Sequence, residues 1–464
     1  MFPPGPRGFP ILGMLPAVRR DPTGVFVRAA RRFGDVVYFK IGPRRGYLLT
    51  NPADVRHVLQ DNARNYHKSP IYEKLRMSLG NGLLTSEDEL WLRQRRIAQP
   101  AFHRQRIAAL AGVMANAARN AVAEWQSIAS SGKPVDVAEE MMRLTRTVVL
   151  RALLGADLGP FASTIDGAWT IINEHVGGSF WSLGLADRFQ PSKRRKFQTA
   201  QAVLRGAVDH VISQRRRNPS DSADLLSMLL AARDEETGEA MTDEQLRVEV
   251  TTFLLAGQET TALALTWTWY LLSQHPSARR RLEEEIDAVL GGRPPEYRDL
   301  ANLPYTRMVI DEALRLYPPA WGFSRQALAD DELGGFHLPR GWLAFVVPYV
   351  LHRLPAYWHN PDAFDPERFS PEQSVDRPKF VYLPFGAGPR QCIGNQFALI
   401  EAQLSVATLT QAYRLHLVPQ HKVEPWPLIT LRPRYGMPMI IERRAPWPEL
   451  QPAGATLPVR QSIR

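Results

Sequence analysis

Apolar residues between positions 88 and 288 recur at the three- and four-residue spacing of helices buried along one face, and strand-like alternation is scarce there. Thr242-Asp-Glu-Gln245 is a capping box with acids in the first turn, and His275-Pro276 is a stop. The helix between them runs to Gln274 and spans about 50 Å at about 1.5 Å per residue, enough to cross a whole domain. Within it, residues 251–272 (TTFLLAGQETTALALTWTWYLL) carry one charge and are long enough to cross a bilayer. Gln258 and Glu259 sit mid-span beside Gly257, where lipid would penalise a carboxylate, so the stretch reads as a helix buried in protein. Short strands are expected at 36–41, 46–50, 342–347 and 437–442, and another helix at 394–413. Residues 352–395, rich in proline and aromatics, read as ordered coil. With no internal repeat and no clean linker, residues 1–464 read as one mainly α domain with a small β portion. Residues 1–20 form a proline-rich lead-in and 445–464 a flexible tail.

Composition narrows this picture. Hydrophobic residues make up 44% and charged residues 22%, so the chain can bury a large core. One cysteine excludes an internal disulfide and a multi-cysteine zinc site, and suits a cytoplasmic, reducing setting. The net charge of +10 suits nucleic acid, an anionic membrane or an acidic protein. The basic runs at 193–196, 215–217 and 279–281 are short and scattered, which reads as solvated helix faces rather than a nucleic-acid stripe. The N-terminus MFPPGPRGFPILG shows neither a signal peptide nor a transmembrane anchor.

Candidate chemistry centres on that one cysteine, Cys392, in FGAGPRQCIG. A lone thiol is a small buried hydrophobe, a nucleophile or a single soft metal ligand. Here it precedes a helix, where the dipole and free amides favour a thiolate. Glycines 386, 388 and 394 would let the backbone approach a flat partner, and Arg390 could bind a carboxylate. A protease would need a histidine base, and none of the eleven histidines stands in such a context. An axial thiolate on haem iron needs only a dry pocket and nearby amides. Elsewhere, Glu312 and Arg315 stand one helical turn apart in DEALRLYPP. Arg368 of FDPERF could join them in a buried network. In AGQETT (256–261), Glu259 and Thr260 place an acid beside a hydroxyl: a proton-delivery pair or two packed core residues.

Taken together these segments resemble the cytochrome P450 family. Phe385, Gly388, Arg390, Cys392 and Gly394 match its haem loop, Glu312/Arg315 and the Pro-Glu-Arg-Phe segment follow in order, and Trp91 and Arg95 match its Trp-x-x-x-Arg helix. The resemblance covers about residues 3–444 and implies the cytochrome P450 fold. It implies haem b (iron protoporphyrin IX) as cofactor and O2 as cosubstrate. Cys392 is then the proximal iron ligand. Arg390, Arg95 and Arg325, assisted by Trp91, hold the haem propionates, and Phe385 packs near the sulfur. Glu312, Arg315 and Arg368 are structural, whereas Glu259 and Thr260 deliver protons for O–O cleavage. With no Gly-x-Gly-x-x-Gly segment in the chain, electrons come ultimately from NAD(P)H through a ferredoxin or flavodoxin and its reductase, partners that are acidic. On the Trp91 helix, Arg93 and Arg96 could reach solvent on the cysteine side to meet them. The expected reaction inserts one oxygen atom into an apolar small molecule: fatty acid, terpenoid, steroid or polyketide. A peroxygenase or isomerase on the same haem, and a haem-based ligand-binding protein without turnover, are the competing readings. By analogy the distal pocket draws on residues 70–84, 180–185, 255–257, 319–323 and 435–437.

Overall fold

The computed structural model of the chain describes residues 2–155, 167–168, 170–172, 175, 191–218 and 224–444. The expected tail at 445–464 and the pocket segment at 180–185 lie outside the described residues.

The capping box forms as the sequence predicts. Thr242 Oγ1 accepts from Gln245 N at 3.2 Å and Gln245 Oε1 accepts from Thr242 N at 3.0 Å, opening the helix Asp243–Gln274. Its apolar stretch is sheathed by protein: Ala262, Leu265 and Trp267 have no exposed surface. It packs on the helices Val137–Leu154 and Pro304–Leu316. Among the described residues no helix is long and apolar enough to cross a membrane. The helix Asn395–Ala412 is buried at every position from Leu399 onward and packs on Arg104–Ser131. A helix that is covered on all sides belongs to the core, and these elements together enclose Trp125, Met114 and Leu404.

The β portion is small. A five-stranded sheet runs in the order Val36–Ile41, Arg44–Leu49, Leu343–Val346, Phe323–Ala327, Tyr66–Lys68. Only the pairing of Arg44–Leu49 with Leu343–Val346 is parallel. The strand Pro438–Arg443 pairs with Tyr413–Leu417, which the sequence had assigned in part to the preceding helix. The N-terminal lead-in is not extended throughout. Leu15–Arg20 is helical, and residues before it bond to the first strand through Tyr38 N→Pro4 O (2.9 Å) and Met14 N→Lys40 O (2.7 Å).

Residues 352–395 are coil broken by single helical turns, held by an ionic hub. Glu312 and Arg315 are wholly buried and joined by two hydrogen bonds, 2.6 and 2.7 Å. Arg368 Nε reaches Glu312 Oε1 at 3.3 Å, so the three-member network expected from the sequence is formed. Arg315 also donates to the carbonyls of His352, Pro361 and Ala363, and Arg368 to those of His359 and Asn360. Five carbonyls of irregular chain are thereby satisfied by two guanidiniums, which is how a long coil can be buried at all. Fully buried His352 extends the hub. Leu383 N donates to its Nε2 (2.8 Å), so Nδ1 carries the proton and donates to Arg315 O (3.0 Å). Burial pushes this imidazole down to about 3, leaving it neutral. The network thus ends two residues before Phe385.

Candidate functional site

The cysteine loop is a tight scaffold. Gly386 N bonds Leu383 O at 3.1 Å, Gln391 N bonds Gly388 O and Cys392 N bonds Phe385 O, both at 3.0 Å. Gly388 has φ +69°, and a Cβ placed on it would lie 1.8 Å from Leu59 O. This glycine therefore admits the protein's own π-helical turn His57–Asp61, rather than a flat ligand as the sequence suggested. Gly394 has ordinary space around it, its nearest neighbour Phe102 lying 3.9 Å from an added Cβ. Gly388→Ala is expected to lower stability by at least about 2 kcal/mol, from left-handed strain plus backbone collision. Thermal unfolding checks this, with Gly394→Ala as the mild control.

The Cys392 side chain opens onto a cavity of about 300 Å³. Phe102, Phe253, Leu314, Phe385 and Phe397 contribute to an almost wholly apolar wall, and Ala256, Gly257, Thr260 and Thr261 of the long helix face the same space. Protein surrounds the sulfur on its other sides. That burial pushes the thiol up, with the Gly394 N–H and the Arg95 guanidinium pulling the other way. The helix-start amide that favours a thiolate is thus present, but burial outweighs it in the protein alone.

A cationic cluster lies beside the loop. Arg390 stands 4.6 Å over the Trp91 ring and forms a salt bridge with Glu87. Arg325, on the strand paired to Tyr66–Lys68, is 8% exposed, and among the described residues its guanidinium makes one hydrogen bond, of 3.3 Å to the neighbouring Ser324 carbonyl. Lys68 Nζ donates to the Ser86 carbonyl. Burial pushes its ammonium down to about 7; Glu87 opposes this, and Arg390, Arg325 and Arg76 add to it. Among the described residues Arg390 Nη1 has no hydrogen-bond partner. Lys68, Arg325 and Arg390 crowd around Glu87, a cationic arrangement that is costly unless anions join it. Arg95, one turn beyond Trp91 on the same helix, donates to Gln391 O (2.9 Å) and Gln99 Oε1 (2.7 Å), next to the cysteine.

A haem fits these residues. A thiol facing an apolar cavity could ligate iron, and a partly buried cationic cluster could receive propionate carboxylates. Neither Lys68 nor His352 stands in a motif or a periodic pattern that would single it out from sequence.

Other expectations are corrected. Arg93 and Arg96 do not present free charge to solvent. Arg96 grips buried Asp234 with two bonds of 3.0 and 3.1 Å, and Arg93 reaches Glu239 at 3.2 Å. They tie their helix to the segment leading into the long helix. Of the expected distal segments, 255–257 and 319–323 do contribute to the cavity and 70–84 supplies Leu84, but 435–437 does not line it. Met437 is core and Tyr435 is half exposed. Glu259 and Thr260 point different ways. Thr260 lines the cavity with its hydroxyl on Ala256 O (2.8 Å), whereas Glu259 is buried against Arg432 and Thr430.

The cavity thus has one thiol at its wall and, on the long helix beside it, the Thr260 hydroxyl. The cytochrome P450 profile matches residues 3–436, and the chain belongs to that family. It is 41% identical to a cyclooctatin synthase of Streptomyces melanosporofaciens, over 92% of each chain. It is 38% identical to a cyclooctat-9-en-7-ol 5-monooxygenase of the same organism, over 89% of each. With a pentalenene oxygenase of Streptomyces avermitilis it shares 34%, over 92% of this chain and 94% of the other. The protein is a haem-dependent monooxygenase that uses O2, an organic substrate and an external source of electrons.

Proposed function

We propose that the chain hydroxylates a cyclic terpenoid, with Cys392 as the proximal ligand of haem b and the propionates held by Arg95, Arg325 and Arg390, assisted by Trp91 and Lys68. The observation that carries this reading is the Cys392 thiol opening onto the same apolar cavity as Thr260. Relatives named for cyclooctat-9-en-7-ol and pentalenene support an alicyclic olefin or its alcohol as substrate. The wall suits such a body, since it offers hydrophobic contact with few polar demands. When bound, haem supplies O2 binding and reductive O–O cleavage. Cys392 holds it from one side, the aromatic and aliphatic wall excludes water, and Thr260 holds a proton at its Oγ1, resupplied through Glu259. Electrons come from NAD(P)H through a ferredoxin or flavodoxin and its reductase. The test is a screen of cyclic terpene hydrocarbons and alcohols for the low-spin to high-spin shift, followed by product analysis with a surrogate ferredoxin system. No shift with any of them, but a shift with fatty acids, would overturn the substrate class.

Thr260→Ala should leave carbon monoxide and substrate binding unchanged, because the hydroxyl holds no iron. Product formed per NAD(P)H oxidised should fall severalfold and peroxide rise, a smaller loss than the roughly 10²–10⁴-fold typical of a positioned proton donor because bound water can substitute. Unchanged coupling would remove the relay.

A further inference from the structure

The N-terminal segment carries a turn that faces outward. Phe9 and Gly13 exchange both of their backbone hydrogen bonds, at 3.0 and 2.8 Å. Lys40 Nζ donates to Pro10 O at 2.6 Å and Gly42 N to Leu12 O at 2.9 Å, so the turn is fixed to the strand Val36–Ile41. At its tip Phe9 is 65% exposed, Ile11 82% and Leu12 44%, with Pro10 exposed between them. The backbone of the turn serves the sheet, but its side chains stand in water, and a run of four exposed apolar residues marks a contact surface. An aromatic stack grows from the same strand. Phe2 lies 5.6 Å from the Tyr38 ring and 5.2 Å from Trp342, and Arg45 stands 5.7 Å over that indole.

Charge around the tip has one sign. Residues 2–20 and 36–49 contain Arg7, Arg19, Arg20, Lys40, Arg44 and Arg45 and no acid. Arg44 and Arg45 lie opposite Ile41 and Lys40 across the first hairpin, and Ile41 bridges to Gly13 of the turn. Among the described residues none of Arg7, Lys40, Arg44 and Arg45 is paired with a carboxylate. A recess of about 310 Å³ lined by Arg44, Arg45 and Trp342 has room for a headgroup phosphate. We propose that this face docks on an anionic lipid surface. Phe9, Ile11 and Leu12 enter the acyl boundary, Tyr38 and Trp342 sit at headgroup depth, and the four cations meet lipid phosphates. The turn is already fixed, so little ordering cost opposes insertion. A second copy of this chain would bring the same cations and be repelled. An acidic protein would match the charge but needs a socket shaped to a convex tip, whereas fluid lipid needs none.

The test is co-sedimentation of the haem-loaded full chain with vesicles of phosphatidylcholine, alone or with an equal part of phosphatidylglycerol. The wild type should bind the anionic vesicles and not the neutral ones, and raising salt from about 0.1 M to about 1 M should weaken that binding. Ile11→Ser should lower partitioning at least about tenfold, the worth of one aliphatic side chain moved out of water. Arg44→Gln and Arg45→Gln should each lower it about fivefold. Ile11→Trp, which places an interfacial side chain at the tip, should bind at least as tightly as the wild type. Haem content, the carbon monoxide spectrum and thermal unfolding should match the wild type in every variant, because these side chains lie outside the haem site. Should Arg44→Gln not fold, the fully exposed Ile11→Ser and Arg45→Gln carry the test. A wild type left in the supernatant with anionic vesicles at about 0.1 M salt overturns the proposal. Equal binding by Ile11→Ser would reduce the contact to charge adhesion and overturn it as well. Capture of the surrogate ferredoxin through Arg44 and Arg45, with vesicles ignored, would assign the face to an acidic protein instead.

Discussion

Cys392→Ser should yield a protein without the thiolate-type carbon monoxide band and without oxygenated product. The substitution changes one atom, in a loop fixed by backbone hydrogen bonds that serine can also make, so the fold has no reason to change. What changes is the ligand: a hydroxyl is neither soft nor readily ionised, and it cannot supply the electron density that a thiolate gives the iron. Cys392 is the chain's only cysteine, and among the described residues no histidine lines the cavity. The measurement is the difference spectrum of the reduced variant with carbon monoxide, together with haem content. A retained thiolate spectrum would show that the ligand has been misassigned.

The second large effect is expected at the ionic hub. Glu312→Ala leaves Arg315 and Arg368 buried without their carboxylate, and breaking such a pair costs about 3–5 kcal/mol. That is a large fraction of the roughly 5–15 kcal/mol by which a protein is stable. Burial already pushes the Glu312 carboxyl up despite its two guanidinium partners, so the site carries a high desolvation cost that only a complete network offsets. The loss should appear as poor recovery of haem-loaded protein, because the hub holds five carbonyls of the coil leading to Cys392. Glu312→Gln keeps one acceptor for Arg315 and should be milder. Normal yield and unchanged thermal unfolding of Glu312→Ala would show that the carbonyl contacts suffice without the acid.

Local signals made part of this protein legible from sequence. The capping box and the His275-Pro276 stop set both ends of the long helix, because each depends on residues within one turn of the boundary. The Glu312/Arg315/Arg368 network was legible because two members lie a helical turn apart and the third in a distinctive short segment. Contacts made at long range were not. Lys68 reaches the cationic cluster through pairing of Tyr66–Lys68 with Phe323–Ala327, about 260 residues away, and no periodicity announces a three-residue strand. Gly388 was read as room for a ligand, yet its reason is Leu59, over 300 residues earlier. The adjacent Glu259 and Thr260 suggested a shared task, but neighbours on a helix point about 100° apart and Arg432 and Thr430 hold one of them. Arg93 and Arg96 looked like surface charge because buried Asp234 lies in a segment with no pattern of its own.

The N-terminal stitching has a consequence for handling the protein. The strand Val36–Ile41 is an outer strand of the five-stranded sheet, and such a strand offers unpaired amides and carbonyls to any passing chain. Here Tyr38 N and Lys40 O are already taken by Pro4 and Met14, and Gly5 sits so close to Tyr38 O that a Cβ would lie 2.1 Å from it. Residues 4–14 thus act as a sacrificial border that hides the sheet from self-association. Trimming them, a common step when expression is optimised, would uncover that border. The shortened protein should then aggregate at concentrations where the full chain stays monodisperse, even though every residue of the haem site is intact.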